Sequence, residues 1–236
     1  MAYQIAVYQP PAYLTIQSTA QVVTTGVKVL VYGLAGSGKT RLQATAPGIL
    51  ILSAEQGLLS LKQFNLPYIM VKTIDDLKWV YQQVSGNPQW SWVQSIGLDS
   101  VSEIAETLLN NLIATNKDPR KAYGEMAQEV LNLLRMFRDI PGKNIVFIAK
   151  QGRVKDDQTG GFLNGPLMPG QQLDQHIPYM FDEVFQLCTF KDTEGKPFGA
   201  LRTRRDNQNE AKDRSGMLDE WERPDLGLIF NKIKGN

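Results

Sequence analysis

The sequence has one cysteine, one histidine and almost no net charge. Cys188, the single cysteine, excludes an internal disulfide and any zinc site built on cysteines, and we expect it to be a small buried hydrophobe. His176 has no metal-ligating residue near it in the sequence, so we assign it neither a metal nor a catalytic role. Because the net charge is only +1, any nucleic-acid surface must come from local clusters of Lys and Arg.

Long hydrophobic runs are also missing. No apolar segment reaches the roughly 20 residues that span a bilayer, and the start "MAYQIAVYQPPAYL" lacks the basic end and apolar stretch of a signal peptide. We therefore expect a cytoplasmic protein with no membrane partner. With 236 residues, 42% of them hydrophobic and 21% charged, the chain has the composition of one globular domain.

Residues 1–25 have no clear period and are predicted to form an N-terminal arm, either frayed or docked on a neighbouring subunit. Residues 26–236 are predicted to form a single domain in which strands alternate with helices. The predicted strands are "VKVLVYG", "ILILS", "YIMV", "WVQSIGLD" and "NIVFIA". Several lack polar alternation, which is typical of a parallel sheet covered on both faces. The fold class is therefore α/β with a mostly parallel central sheet.

Helix signals separate these strands. Thr73 is the expected N-cap of "TIDDLKWVYQQV", and Ser100 with Glu103 forms a capping-box pattern before "VSEIAETLLNNLI". The helix "AYGEMAQEVLNLLRMF" places Met126, Val130, Leu133, Leu134 and Phe137 on one face. After residue 150 the pattern changes: 151–178 is predicted to be a long loop, followed by an antiparallel hairpin around "KDTEGKP" and a closing helix "DLGLIFNKIK".

The stretch "GLAGSGKT" matches the P-loop motif G-x-x-x-x-G-K-[ST] between a predicted strand and helix. Its glycines let backbone N–H groups converge on phosphate oxygens, Lys39 would reach the β- and γ-phosphates, and Thr40 would ligate Mg²⁺. The bland alternative is a glycine-rich turn that binds nothing. The predicted nucleotide-binding residues are Gly33, Leu34, Ala35, Gly36, Ser37, Gly38, Lys39, Thr40 and Arg41.

Two acids end strands that follow the P-loop. Asp99 closes "SIGLD", and in a parallel sheet the carboxyl ends of the strands face the ligand, so we expect it to hold magnesium together with Thr40. Glu55 closes the strand directly after the P-loop helix and is a candidate general base for the water that attacks the γ-phosphate. Both acids could instead be ordinary strand-end residues. Ser100 is interpreted as an N-cap only.

This arrangement resembles the RecA-type ATPase core, in which a P-loop, a catalytic glutamate, a Walker B aspartate and a polar sensor follow in that order. The matching positions are Lys39 and Thr40, then Glu55, then Asp99, then Gln151 in "NIVFIAKQ". The segments "LSAEQGLLSL", "KAYGEM", "PLMPG" and "LRTRRDNQNEAKDRSGML" are similar to the small phage proteins that are reduced RecA cores and act in recombination by single-strand annealing or recombinase-like activity. The similarity runs from about Gly26 to the end of the chain.

The resemblance implies a RecA-like P-loop NTPase core that uses ATP and Mg²⁺, with Gln151 sensing the γ-phosphate. It also implies a phage protein in the host cytoplasm, partnered by single-stranded DNA and by a phage single-strand-binding protein. The P-loop helix is short, ending at Pro47, and there is no separate N-terminal helical domain. These departures put full strand exchange in doubt more than ATP hydrolysis.

Two basic clusters are the candidate DNA-binding residues. One lies between two helices and contains Lys117, Arg120, Lys121 and Tyr123; the other contains Arg153 and Lys155 in the predicted loop. Backbone-led, sequence-tolerant strand binding uses such cations with an aromatic stacking surface. Solvated surface charge is the competing interpretation, because Asp118, Asp156 and Asp157 dilute both clusters.

A third cluster suggests oligomeric action. RecA-type ATPases assemble side by side with ATP at the seam, where a neighbour supplies cations to the transferring phosphoryl group. Lys212 and Arg214, two residues apart on an expected extended segment, are the predicted trans-acting fingers of a ring or filament.

Two other functions stay open. One is a nucleotide-gated assembly or loader module with little turnover. The other is a small-molecule kinase, which would need a basic lid, and residues 151–178 contain only two Lys or Arg residues.

Overall fold

The computed structural model describes residues 26–55, 57–116, 118–156 and 159–235. The predicted arm 1–25 and Lys117 lie outside the described residues. The strands are β1 Lys28–Gly33, β2 Ile49–Ser53, β3 Tyr68–Met70, β4 Ser95–Asp99, β5 Asn144–Lys155, β6 Phe162–Leu167, β7 Glu183–Lys191, β8 Pro197–Arg202, β9 Lys212–Asp213 and β10 Trp221–Glu222. The helices are α1 Lys39–Leu42, α2 Ile74–Gly86, α3 Val101–Thr115, α4 Pro119–Arg138, α5 Gln171–His176 and α6 Leu226–Lys234.

All the named strands join one sheet, whose main path runs β10-β8-β7-β1-β5-β4-β2-β3. The path from β7 to β3 is parallel, whereas β8 and β10 add antiparallel strands at one side, and β6 and β9 pair antiparallel with β5 and β7. The P-loop strand β1 therefore has β5, β4 and β2 on one side and the β7–β8 hairpin on the other. This order confirms the predicted RecA-like α/β class with its C-terminal hairpin.

Side chains alternate between the two faces of the sheet, and helices cover both. Leu30 and Tyr32 of β1 belong to the larger cluster, which packs against α2, α3 and α4. Val29 and Val31 belong to the second, which packs against α1 and α6. Burial on both faces removes the polar alternation from these strands, which is why they read as continuous apolar runs.

Local helix signals are largely confirmed. Thr73 accepts a hydrogen bond from the Asp76 N–H, and the Asp76 carboxylate bonds the Thr73 N–H in return. Ser100 caps α3 by accepting from the Glu103 N–H at 3.2 Å, but the Glu103 carboxylate binds Lys150 at 2.9 Å. The five apolar residues predicted on one face of α4 are all buried.

The prediction of a long loop over 151–178 is wrong. Strand β5 continues to Lys155, β6 returns antiparallel to it, and α5 follows. Gly152 and Gly165 face each other in this hairpin: a Cβ on Gly152 would lie 2.7 Å from Leu167, and a Cβ on Gly165 would lie 2.5 Å from Val154. The glycines that suggested a loop in the sequence therefore allow the two strands to pack closely.

Candidate active site

The P-loop connects β1 to α1 and has the conformation that its motif predicts. Gly36 and Gly38 adopt left-handed φ values of 77° and 98°, which side chains disfavour. Lys39 Nζ donates to the carbonyls of Gly33 and Leu34, at 2.9 Å each. Burial lowers the pKa of Lys39, and the charges of Asp99 and then Glu55 oppose that shift. The ammonium thus lies across the loop with both acids near enough to interact with its charge.

Gly33, the first glycine of the motif, is required by close packing. A Cβ at this position would lie 2.7 Å from the Leu187 carbonyl oxygen and 2.8 Å from Ser37 Oγ. The loop therefore lies directly against β7. Ser37 Oγ is buried without a hydrogen-bond partner among the described residues, so the loop contains an unused polar group.

Asp99 ends β4 and is tied to the P-loop helix and its 3-10 extension. Gln43 Nε2 donates to Asp99 Oδ2 at 3.0 Å, and the Thr40 hydroxyl bonds the same carboxyl group. Burial raises the pKa of Asp99; the Thr40 bond counteracts this rise, whereas the charge of Glu55 adds to it. Gln43, which is fully buried, had no signal in the sequence, because only the fold brings it to Asp99.

Glu55 follows β2 and lies beside Asp99 and Ser100. Ser53 pairs with Asp99 across the parallel strands, which brings the two strand ends together. Ser100 Oγ donates to Glu55 Oε1 at 2.8 Å. The interpretation of Ser100 as an N-cap only is therefore wrong, since its hydroxyl both caps α3 and positions Glu55. The Asp99–Ser100 peptide bond is cis.

Gln151 lies on β5 and is half-buried. Its Oε1 accepts from Gln186 Nε2 of β7 at 3.2 Å, so the side chain crosses above β1 to reach the next strand but one. No sequence pattern indicates Gln186 as a partner of Gln151. Arg41 is exposed, with its guanidinium 5.8 Å from the centre of the Phe64 ring.

The residues present fit a magnesium–triphosphate group. A Cβ built on Gly36 would meet nothing within 4 Å, so the loop has room for a ligand. Thr40 and Asp99 offer the hard oxygen donors that Mg²⁺ prefers, and Mg²⁺ is usually held by one or two carboxylates plus substrate phosphates. Among the described residues, no cluster of three or more His, Cys, Asp or Glu could hold a metal without such phosphates.

Lys212 and Arg214 lie away from their own P-loop. Lys212 pairs with Val184, and the Arg214 N–H bonds the Asp182 carbonyl at the amino end of β7. Both side chains reach the same segment: Lys212 Nζ donates to the carbonyls of Pro178 and Phe181, and Arg214 pairs with Asp182 at 2.8 Å. The extended segment and shared direction agree with the prediction; the internal bonds of Lys212 were not foreseen.

The structure separates the candidate DNA-binding residues into two exposed groups. Arg120, Lys121 and Tyr123 lie in the first turns of α4, where Lys121 approaches Glu125 at 3.6 Å. Arg153 and Lys155 share one face of β5, opposite Asn164 and Phe162 of β6. Phe162, which is 60% exposed, was missed in the sequence because it lies in the supposed loop.

The strand order, P-loop and paired acids define a P-loop NTPase. The chain matches the AAA_24 family, described as an AAA domain, over residues 25–215. It therefore belongs to that family and contains a nucleotide-binding ATPase domain. A solved structure of a KaiC-like protein from Pyrococcus horikoshii aligns with a TM-score of 0.46 and 14% identity, covering 80% of this chain and 84% of that one. No curated protein matches the sequence.

In the described part of the chain, no helix is long and apolar enough to cross a membrane.

Proposed function

We propose that this chain hydrolyses ATP as an oligomer and binds single-stranded DNA in phage recombination, by annealing or by recombinase-like activity. The observation that carries the hydrolytic part is the Glu55 carboxylate. It is exposed, lies beside the buried Asp99, and receives a hydrogen bond from Ser100 on Oε1. A carboxylate so placed can accept a proton from an attacking water.

We assign a separate role toward the triphosphate to each of the polar residues around the P-loop. Burial lowers the pKa of Lys39, and we assign its side chain to the β- and γ-phosphates. Thr40 and Asp99 would hold Mg²⁺, which neutralises charge on the phosphates when bound. Ser100 orients Glu55, and Gln151 transmits the state of the γ-phosphate to β5 and to Gln186.

Assembly is supported by the position of the finger candidates. Lys212 and Arg214 lie toward the end of the sheet remote from their own P-loop, and this position supports our assignment of both residues to the nucleotide of a neighbouring subunit. For this role Lys212 must leave its carbonyl partners or act through Arg214, which is largely exposed. Mixing Lys39→Ala with Lys212→Ala should restore part of the activity, and failure at every ratio would contradict action in trans.

DNA binding is supported by the β5–β6 hairpin. Its exposed face combines Arg153, Lys155 and the ring of Phe162, which are the cation and aromatic components of sequence-tolerant strand binding. Gln151 lies on β5, the same strand that carries Arg153 and Lys155. The proposed nucleotide sensor and the proposed DNA-binding surface therefore share one strand. A phage single-strand-binding protein remains a further proposed partner, because such strands are coated in the cell.

The decisive experiment measures phosphate release with and without single-stranded DNA, in wild type and in Glu55→Gln. We expect DNA to stimulate the wild type, and the substitution to reduce turnover by about 10²–10⁴-fold while nucleotide binding survives. Unchanged turnover in Glu55→Gln would remove the general-base role. A wild type that binds ATP with little turnover, unaffected by DNA, would instead indicate a nucleotide-gated loader.

A further inference from the structure

Lys150 lies on β5 at the edge of the sheet that carries the P-loop. It pairs with Gly33, the first glycine of the P-loop motif, across the parallel strands β1 and β5. Its Nζ donates to Glu103 Oε2 at 2.9 Å and to Glu106 Oε2 at 2.8 Å. Both acids belong to the first two turns of α3. Lys150 therefore joins β5 to the start of α3 by two charge-assisted hydrogen bonds.

The charge of Lys150 is favoured in this position. Burial opposes the charge, but the hydrogen bonds to Glu106 and Glu103 outweigh burial and raise the pKa of the lysine. The three side chains are between 34% and 40% exposed, and ion pairs near the surface contribute little to the stability of a fold. The position that these ion pairs give to α3 is therefore a better account of them than the stability they supply.

Ser102 makes a second connection between β5 and α3. Its hydroxyl accepts a hydrogen bond from the Lys150 N–H at 2.9 Å and donates one to the Leu167 carbonyl, at the end of β6, at 2.8 Å. Ser102 is fully buried, so its hydrogen bonds have to be made within the protein. Lys150 thus contributes both its backbone and its side chain to holding the first turn of α3.

The same turn of α3 holds the candidate general base. Glu103, whose carboxylate receives Lys150, also donates its N–H to Ser100 Oγ at 3.2 Å. Ser100 Oγ in turn donates to Glu55 Oε1 at 2.8 Å. A serine hydroxyl has one proton, and since Ser100 is an acceptor toward Glu103, that proton is available for Glu55. The direction of the Ser100 hydroxyl therefore depends on where Glu103 is held.

We propose that Lys150 is a positioning residue for hydrolysis, which holds Glu103 and thereby fixes, through Ser100, the carboxylate of Glu55. In this role Lys150 acts on the rate of the chemical step and not on nucleotide binding. A misplacement of about 1 Å can lower a rate on the order of 10²-fold, so a loosened first turn of α3 has a measurable effect. The inference rests on the proposed function, because that function makes Glu55 the base.

Lys150→Met tests the inference, because it keeps the length of the side chain and removes its charge. Phosphate release at saturating ATP gives kcat, and calorimetry with a non-hydrolysable ATP analogue gives the dissociation constant. We expect kcat to fall roughly ten- to hundredfold, while the dissociation constant and the thermal unfolding temperature stay close to the wild-type values. Lys150→Arg can still donate to both carboxylates and should restore most of the rate.

Lys78→Met is the matched control. Lys78 also lies between two carboxylates, with Asp75 at 3.4 Å and Glu129 at 3.8 Å, and its side chain is 44% exposed. This variant should keep the wild-type kcat. Three results would overturn the inference: an equal loss of kcat in Lys78→Met, no recovery in Lys150→Arg, or a loss of nucleotide affinity in Lys150→Met as large as its loss of kcat.

A double substitution shows whether Lys150 acts through Glu55. Adding Lys150→Met to Glu55→Gln should cause no further loss in a single-turnover assay, because the base is already absent. A further loss as large as in the wild-type background would overturn the inference. If Glu55→Gln alone keeps the wild-type rate, the proposed function loses its base and the inference fails with it. If Glu55→Gln is impaired and Lys150→Met is not, the inference alone fails.

Discussion

The two sides of the P-loop strand are built differently. On the side of β5, β4 and β2, the candidate catalytic groups are polar side chains at strand ends, joined by single hydrogen bonds such as Ser100 to Glu55 and Gln43 to Asp99. The second side, called the hairpin side here, consists of β6 to β10 and their connecting turns, and its backbone segments are held together by hydrogen bonds and ion pairs: Asn164 bonds residues 208–210, and Arg205 pairs with the buried Asp156 at 2.6 Å. The first side is suited to chemistry, and the second to holding a surface in place.

The largest effect should come from the acid side, by removing a magnesium donor. Asp99→Asn should lower phosphate release by about 10²–10³-fold, the size seen when one charge-stabilising group is removed. The fold should survive, because burial of the Asp99 carboxylate already disfavours its charge and raises its pKa. Hydrolysis measured against Mg²⁺ concentration tests this. Asp75→Asn, at an exposed position on α2, is the control, and equal losses in both would contradict the metal role.

Packing on the acid side is the next test. A Cβ on Gly97 would overlap Gln43 Oε1, and Gln43 is the partner of Asp99. Gly97→Ala should therefore cost about 1–3 kcal/mol of unfolding free energy, as overpacking typically does, and should reduce hydrolysis as well. Gly124→Ala in α4 meets open space and should instead gain roughly 0.5–1 kcal/mol. Denaturant unfolding measures the stability of both variants. If Gly97→Ala were as stable as Gly124→Ala, Gln43 would be able to move aside without cost.

The hairpin side should respond to pH through Glu183. Burial raises the pKa of this carboxyl to about 8, and Asp213 and Asp182 contribute by repulsion. The folded chain then holds a proton that the unfolded chain loses near its ordinary pKa of 4.5, so this group makes stability fall as pH rises from about 4.5 to about 8.

Glu183→Gln should remove that contribution and gain on the order of 1 kcal/mol near the upper end of this range. Thermal unfolding across the range measures the change, with Glu194→Gln in the exposed 192–196 turn as control. If the stability of Glu183→Gln changed with pH as steeply as that of the wild type, Glu183 would ionise normally in the folded chain.

The same contrast explains what the sequence could predict. Lys39, Thr40, Asp99 and Glu55 were found because each follows a recognisable strand, and a parallel sheet brings strand ends to one edge. Their partners were not found, because Gln43–Asp99, Ser100–Glu55 and Gln151–Gln186 join residues 56, 45 and 35 positions apart. Such contacts depend on strand register, which no local pattern contains.

The hairpin of β5 and β6 was missed for a related reason. Gly152 and Gly165 lower strand propensity, and Pro166 looks like a turn signal. Their meaning appears only when the two strands are paired, since each glycine makes room for a side chain of the opposite strand. Local composition therefore predicted a loop where tertiary packing required small residues in a sheet.

The smallest effect should come from the hydroxyl that connects the two sides. Tyr32 lies on β1 directly before the P-loop, and its Oη is 3.0 Å from the Asn164 carbonyl and 2.5 Å from the Glu210 carbonyl. Burial raises its pKa, so the hydroxyl stays protonated and donates. Tyr32→Phe should cost about 1 kcal/mol of stability, the typical net value of one hydrogen bond.

The same substitution should leave basal hydrolysis nearly intact but reduce its stimulation by DNA, because Asn164 belongs to the β5–β6 hairpin and the 208–210 segment leads to Lys212. Tyr179→Phe, at an exposed ring, is the matched control. If Tyr32→Phe lowers basal and stimulated rates by the same factor, the hydroxyl only supports the P-loop. A selective loss of stimulation would instead show that the Tyr32 hydroxyl couples the β5–β6 hairpin to the catalytic side that carries Glu55 and Asp99.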